Sequence, residues 1–231
     1  MTPDDTDGNA RRDEESDVPN AEGRTTRRDA GVAADGRETD EWPVALRGVT
    51  EVVVATLGPN DLYNQAALGL HAGEPVTART WGRTRTRRNV EERGEAYVQF
   101  TRDPVAFVEA ALGIYETDAP LLPETAAWVR VTVEPIDSGN DAGTEWTDWR
   151  LEPVTAAVRD RTVPTISRGH GAVIEATVAA SRLNVDAYDD TTLLDRLSYL
   201  ESVVETCGDD DERRAFDRLS TLVPWRDRDD R

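Results

Sequence analysis

The chain has 231 residues, with 46 acidic against 27 basic side chains and a formal net charge of −19. That length suits one or two domains, and the acidity argues against nucleic acid as a partner, because such binding needs many cationic contacts on one face. A single cysteine, Cys207, excludes a disulfide framework.

Every basic residue other than the two histidines is arginine; lysine is absent. A heavy acidic load without lysine fits adaptation to concentrated salt, where carboxylates hold hydrated cations and salt screens their repulsion. No apolar run approaches the roughly eighteen residues of a membrane span. The N-terminus lacks the apolar core of a signal peptide, so the cytoplasm is the expected location.

In chain order, residues 1–41 are rich in Asp, Glu, Arg, Gly and Thr and read as a disordered acidic tail. Order is expected from Trp42. Val49 to Leu57 is a β-branched run and predicts a strand. After the Gly58-Pro59-Asn60-Asp61 turn, Leu62 to Leu70 predicts a second strand or an extended loop. Val76 to Thr80 is a third strand, and Thr84 to Val90 begins a helix or turn. Glu95 to Phe100 alternates as a strand. Asp103 then caps a helix that has Pro104 at its first position. Trp128 to Glu134 and Glu145 to Pro153 read as strands, with Ile136 to Gly143 as a polar hairpin loop between them. Ala172 to Ala180, Asp189 to Val204 and Asp211 to Leu222 read as helices. The pattern predicts a mainly β body over 42–164, a small barrel with peripheral helices, and a helical C-terminal part over 165–231 that completes the same domain. Cys207 lies in a helical stretch and reads as a small apolar filler rather than a nucleophile.

Three segments carry candidate chemistry. The first is Arg79-Thr80-Trp81-Gly82-Arg83-Thr84-Arg85-Thr86-Arg87-Arg88-Asn89, where five arginines gather and no acid appears from Pro75 to Val90. Arginine forks match phosphate oxygens in paired hydrogen bonds. Thr84, Thr86 and Asn89 add neutral donors. If the segment is extended, Arg83, Arg85 and Arg87 share one face; if it turns into a helix, backbone amides also point at the anion. The competing explanation is an edge strand whose arginines pair with surface acids. The second is Asn64-Gln65-Ala66-Ala67-Leu68-Gly69, small residues after a turn that suit close approach by a flat ligand, or simply a small-residue strand. The third is Ser167-Arg168-Gly169-His170-Gly171, which leads into a helix; Arg168 and His170 are candidates to reach a ligand, or His170 is merely exposed. No Ser/His/Asp set, CxxC, HExxH or P-loop is present, and a metal site has little support.

In their order along the chain, Gly48 to Thr56, the Asn64–Gly69 segment, Gly82 to Asn89, and Phe107 in a helix after Asp103-Pro104 resemble the FMN-binding split-barrel superfamily of flavin reductase-like proteins. Ser167-Arg168-Gly169, Ala172 to Thr177 and Ser181-Arg182 resemble a second signature of its archaeal branch, domain of unknown function 447. The resemblance runs from about Val49 to Val223. It implies a six-stranded split β-barrel with peripheral helices and a small helical C-terminal extension, forming a homodimer with FMN near the interface. On that resemblance Thr86 and Asn89 hold the phosphate, and Arg83, Arg85 or Arg87 add charge. Asn64, Gln65, Ala66 and Ala67 lie along the flavin; Ala67 stands where the reductases have Pro. The implied activity is an NAD(P)H-linked oxidoreductase, the cofactor carrying the redox chemistry. The alternative is a non-catalytic flavin carrier or sensor.

Overall fold

The computed structural model describes residues 38–141, 143–163 and 165–229. The expected tail therefore lies outside the described residues up to position 37.

Six strands close into an antiparallel barrel. They are β1 (Val49–Leu57), β2 (Tyr63–His71), β3 (Val76–Trp81), β4 (Glu95–Thr101), β6 (Thr125–Asp141) and β7 (Thr144–Val158). The order is β1-β4-β6-β7-β3-β2, and pairing of β1 with β2 closes the ring. A short additional strand, β5 (Tyr115–Thr117), pairs with the start of β2. This is the split-barrel arrangement.

The barrel explains why the middle of β1, Val52 to Ala55, is apolar without alternation. Val52 and Val54 point into the barrel core beside Val98, Val129 and Val131. Val53 points outward but is covered by Phe107 and Ala110 of helix α2 (Pro104–Leu112) and by Leu122. A strand buried on both faces has no polar side to show. The start of α2 follows from its sequence: Asp103 Oδ1 accepts from the amides of Val105 at 2.8 Å and Ala106 at 3.2 Å, with Pro104 next to the cap.

One connection differs from expectation. Of the segment expected to be a loop, Ile136 to Asp141 is strand: β6 and β7 stay paired to Asp141↔Thr144, with a register shift between Pro135 and Asp137. The backbone ladder satisfies itself there, so exposed polar side chains are no bar to strand. Gly139 is required because the Trp146 ring covers it; a Cβ would fall 2.6 Å from the ring.

The C-terminal helices α3 (Arg168–Ser181), α4 (Asp190–Cys207) and α5 (Asp210–Leu222) form a second apolar core that α2 joins through Val108. A short helix α6 (Arg226–Asp229) follows. Leu193, Leu197, Leu200 and Val204 form the buried stripe of α4 at three- and four-residue spacing. An ion pair between Arg218 and Glu109 ties α5 to α2. Among the described residues, no helix is long and apolar enough to cross a membrane.

Candidate functional site

The arginine–threonine run splits at Gly82, whose backbone φ of 65° ends β3 in a left-handed turn. Thr84 then caps helix α1 (Arg85–Arg93): its Oγ1 accepts from the Arg87 amide at 3.1 Å. The extended alternative, with three arginines on one face, is thereby replaced by the helical one. Thr86, Asn89 and Val90 form the face that packs on the barrel. The amides of Arg85 and Thr86 lie in the first turn, beyond reach of the helix's own carbonyls.

This helix start faces the Asn64 segment across a cleft of about 540 Å³. Asn64, Gln65, Ala66, Ala67, Arg83, Thr84, Arg85 and Thr86 all line it, so eight of the candidate residues come together. Asn64 donates from Nδ2 to Thr86 Oγ1 at 3.1 Å, and both are buried. That bond occupies an acceptor site on the hydroxyl and leaves its proton free to donate into the cleft. The same holds for Thr84, whose oxygen is used by the cap. Ala66 and Ala67 on one side and Ala110, Ala111 and Gly113 on another leave walls without branched side chains.

Gln65 enters by its backbone. Its side chain, 1% exposed, donates to Thr117 Oγ1 at 2.8 Å and to the Pro120 carbonyl at 3.2 Å. Its Oε1 accepts from Gln99 Nε2 at 2.8 Å, and Gln99 Oε1 in turn accepts from the Leu122 amide at 2.7 Å and Thr125 at 2.8 Å. This buried network fixes β2 against β4 and the segment after β5.

Other candidates fall elsewhere. Asn89 is 1% exposed, and its Nδ2 donates to Thr56 Oγ1 at 3.1 Å and to the Thr56 carbonyl at 3.3 Å. It stands a full turn past the cap, so it braces α1 on β1 and does not line the cleft. Arg87 turns away to Glu91 at 2.9 Å, Glu145 at 3.3 Å and the Gly82 carbonyl at 3.3 Å, bracing the turn. Acids missing from the local sequence thus arrive from distant strands: Glu145 also lies 3.7 Å from Arg83, and Glu116 lies 3.2 Å from Arg85. Arg83 is 89% exposed and its contact is loose, so it keeps its donors available.

Arg168 and His170 do not join the cleft. Ser167 caps α3, accepting from the His170 amide at 3.1 Å. Gly169 is pressed on the end of α4; a Cβ there would fall 2.5 Å from Gly208 Cα. His170 Nδ1 faces Glu212 at 3.9 Å. The motif packs the start of α3 against the end of α4 and against Glu212 of α5, outside the cleft.

Beyond the candidate residues, two large apolar side chains mark the edge of the cleft. Trp81, 46% exposed, and Ile114, 76% exposed, stand at the cleft's rim. Large apolar residues at the end of a strand and just after a helix-ending glycine were the available signal. Arg79 sits behind Trp81. It binds Asp148 by a two-point fork, both distances 2.7 Å, and lies 4.0 Å from the Trp146 ring centroid. The Arg79 hydrogen bond holds the Asp148 carboxyl below the usual carboxylate range.

A closed six-stranded antiparallel barrel, with a helix start facing a cleft on its outer wall, is a split-barrel fold. Two family models match the chain: "Protein of unknown function (DUF447) N-terminal domain" over residues 50–160 and "Protein of unknown function (DUF447)" over residues 167–221. The chain belongs to the DUF447 family. It is similar to an FMN-bound protein of the same family from Methanosarcina mazei, at 25% identity and a TM-score of 0.65, over 77% of this chain and 96% of that one. It is also similar to nitrilotriacetate monooxygenase component B from Bacillus cereus (18% identity, TM-score 0.36, 52% of this chain and 77% of that one). Flavoredoxin from Methanosarcina acetivorans is a further likeness (11% identity, TM-score 0.36, 55% and 79%). No curated protein matches the chain.

Proposed function

We propose that this protein binds FMN in the cleft between β2, β3 and the start of α1 and acts as an NAD(P)H-linked oxidoreductase. The observation that carries the reading is the donor set. Arg83, Arg85, the hydroxyls of Thr84 and Thr86 and the first amides of α1 converge on one cleft, and together they suit a phosphate monoester. The alanine walls beside them leave room for a flat ring. The likeness to a protein crystallised with FMN, covering 96% of that chain, supports the same ligand. When bound, FMN supplies one- and two-electron chemistry.

The chain's own part is to hold and orient. Asn64 fixes the Thr86 hydroxyl, Arg87 braces the Gly82 turn, and the Gln65–Gln99 network stiffens the strand under the ring. Trp81 and Ile114 leave apolar surface at the rim, and a second copy of the chain covering it would exclude water from the site. We extend the proposal to a homodimer with the cofactor near its interface. The net charge of −19 without lysine supports a protein whose fold is steadier in molar salt than in dilute buffer.

The test is a fluorescence titration of the full chain with FMN and riboflavin in high salt, followed by anaerobic addition of NADH or NADPH. Expected are quenching by FMN at low concentration, much weaker binding of riboflavin, and bleaching of the flavin band by one nicotinamide. A folded protein that ignores FMN refutes the cofactor. Binding without reduction by either nucleotide leaves a flavin carrier.

A further inference from the structure

The cleft does not stop at Leu68. Beyond it lies a chamber of about 780 Å³ on the same outer wall of the barrel. Ala67, Leu68, Arg79, Trp81 and Ala111 line both spaces, so they are continuous. Asn64 and His71, at opposite ends of β2, are about 23 Å apart at the usual rise of a strand, so the far end stands well clear of the arginine cradle. Glu51 and His71 reach that end from β1 and β2, and Ser181 and Arg182 reach it from the C-terminal end of α3. Gly69 keeps the floor open opposite Glu51: a Cβ would come within 3.0 Å of Val49 Cγ1 and 3.6 Å of Glu51 Oε1.

The charges in the chamber are unequal in their commitments. Arg79 and Asp148 neutralise each other through their fork. Glu51 and Arg182 do not. Among the described residues, the Glu51 carboxylate has no hydrogen bond or ion pair, and the Arg182 guanidinium lies 4.9 Å from the Tyr188 ring centroid without a carboxylate partner. Partial burial, then the charge of Glu175, push the Glu51 carboxyl up, and His71 draws it partly back. A cation placed beside it would stabilise its ionised form. An anion from the barrel and a cation from the helical extension, neither in an ion pair among the described residues, therefore line one space, with Phe107 and Val178 adding apolar wall.

We propose that this chamber binds a small zwitterion of the amino-acid type, its ammonium on Glu51 and its carboxylate on Arg182, held beside the cofactor cleft. A molecule carrying only one of the two charges satisfies one residue and leaves the other without a partner. The binding itself rests on the chain's own residues; only the neighbouring cofactor rests on the FMN reading.

The experiment is calorimetric titration of the full chain, first alone and then with saturating FMN. The probes are the common amino acids, with 4-methylpentanoate and isoamylamine as the one-charge counterparts of leucine. At least one amino acid is expected to bind, and an amino acid to bind roughly tenfold or more tighter than its one-charge counterparts. Glu51→Gln and Arg182→Gln are each expected to weaken that binding by roughly tenfold while FMN affinity stays within about twofold. A circular-dichroism melt confirms that each variant is folded. The proposal is overturned if no amino acid binds to folded protein, if the one-charge counterparts bind as tightly, or if both folded variants bind like the parent. Amino-acid binding by a chain that ignores FMN keeps the chamber and removes the cofactor reading instead.

Discussion

Helices α1 and α3 begin alike. Each has a hydroxyl cap, Thr84 or Ser167, followed directly by an arginine, and each has a glycine within two residues of its cap, Gly82 or Gly169. Their surroundings separate them. The first turn of α1 opens on a cleft floored by Asn64 to Leu68, whereas the first turn of α3 is closed by Gly208 against Gly169. Helix-start amides and arginines are a potential anion site in both. What decides is whether another element stands off to leave room or presses in to fill it. The glycines serve opposite ends: Gly82 turns the chain so that α1 can face β2, and Gly169 lets two helices touch.

The largest effect should come from filling the α3 contact. Gly169→Val forces β-branched bulk into a space where even a Cβ overlaps Gly208, and overpacking of this kind costs about 1–3 kcal/mol. A thermal or denaturant melt should show that loss; an unchanged melt would mean the helices do not meet as described. His170→Gln, by contrast, should leave FMN affinity unchanged, because His170 faces Glu212 and not the cleft.

At α1 the double change Arg83→Gln and Arg85→Gln should weaken FMN by roughly tenfold or more, about 1.4 kcal/mol for each factor of ten. Riboflavin affinity should hardly move. Equal losses for both ligands would remove the phosphate role. A step smaller, Thr86→Val deletes the hydroxyl that Asn64 orients. It should weaken FMN by about tenfold, and by leaving Asn64 Nδ2 buried and unpaired it should also cost about 1–3 kcal/mol of stability. Loss of stability without loss of FMN affinity would make Thr86 a structural residue only.

Sequence periodicity was enough for β1, α2 and α4 because their burial follows local rules. Val49 to Leu57 is rich in β-branched residues, Asp103-Pro104 starts a helix on its own, and the leucines of α4 repeat at helical spacing. The gathering of Asn64 to Ala67 with Arg83 to Thr86 was legible as an order of motifs. Their contact was not, since it depends on antiparallel β2 and β3 bringing distant positions together. The same non-local pairing hid the counter-charges: Glu116 and Glu145 are far from the arginines in sequence and beside them in space. Asn89 stands off the cleft for a local reason. Three residues after Thr86 on a helix lands on the same buried face but a turn deeper, where Thr56 and not solvent is waiting. The ribbon from Ile136 to Asp141 is illegible in the sequence because polar composition says nothing about a ladder made by the backbone.

The smallest effect concerns the acid that steadies the barrel side of this comparison. Asp148 has its folded-state pKa lowered from an ordinary value of 3.8, first by the hydrogen bond from Arg79. A depressed carboxylate contributes stability that is fully present above its unfolded value and is lost as pH falls through the folded one. The window therefore lies below 3.8. Arg79 is 37% exposed and Asp148 24%, so screening limits the contribution to about 1 kcal/mol or less. Denaturant midpoints at about pH 5 and about pH 2 should differ less in Asp148→Asn than in the parent, because that variant has no carboxylate to protonate. His170 and Glu212 offer the α3 side no comparably short pair, their closest approach being 3.9 Å. If Asp148→Asn kept the parent's full acid-side difference, the Arg79–Asp148 pair would hold the barrel by packing and not by charge.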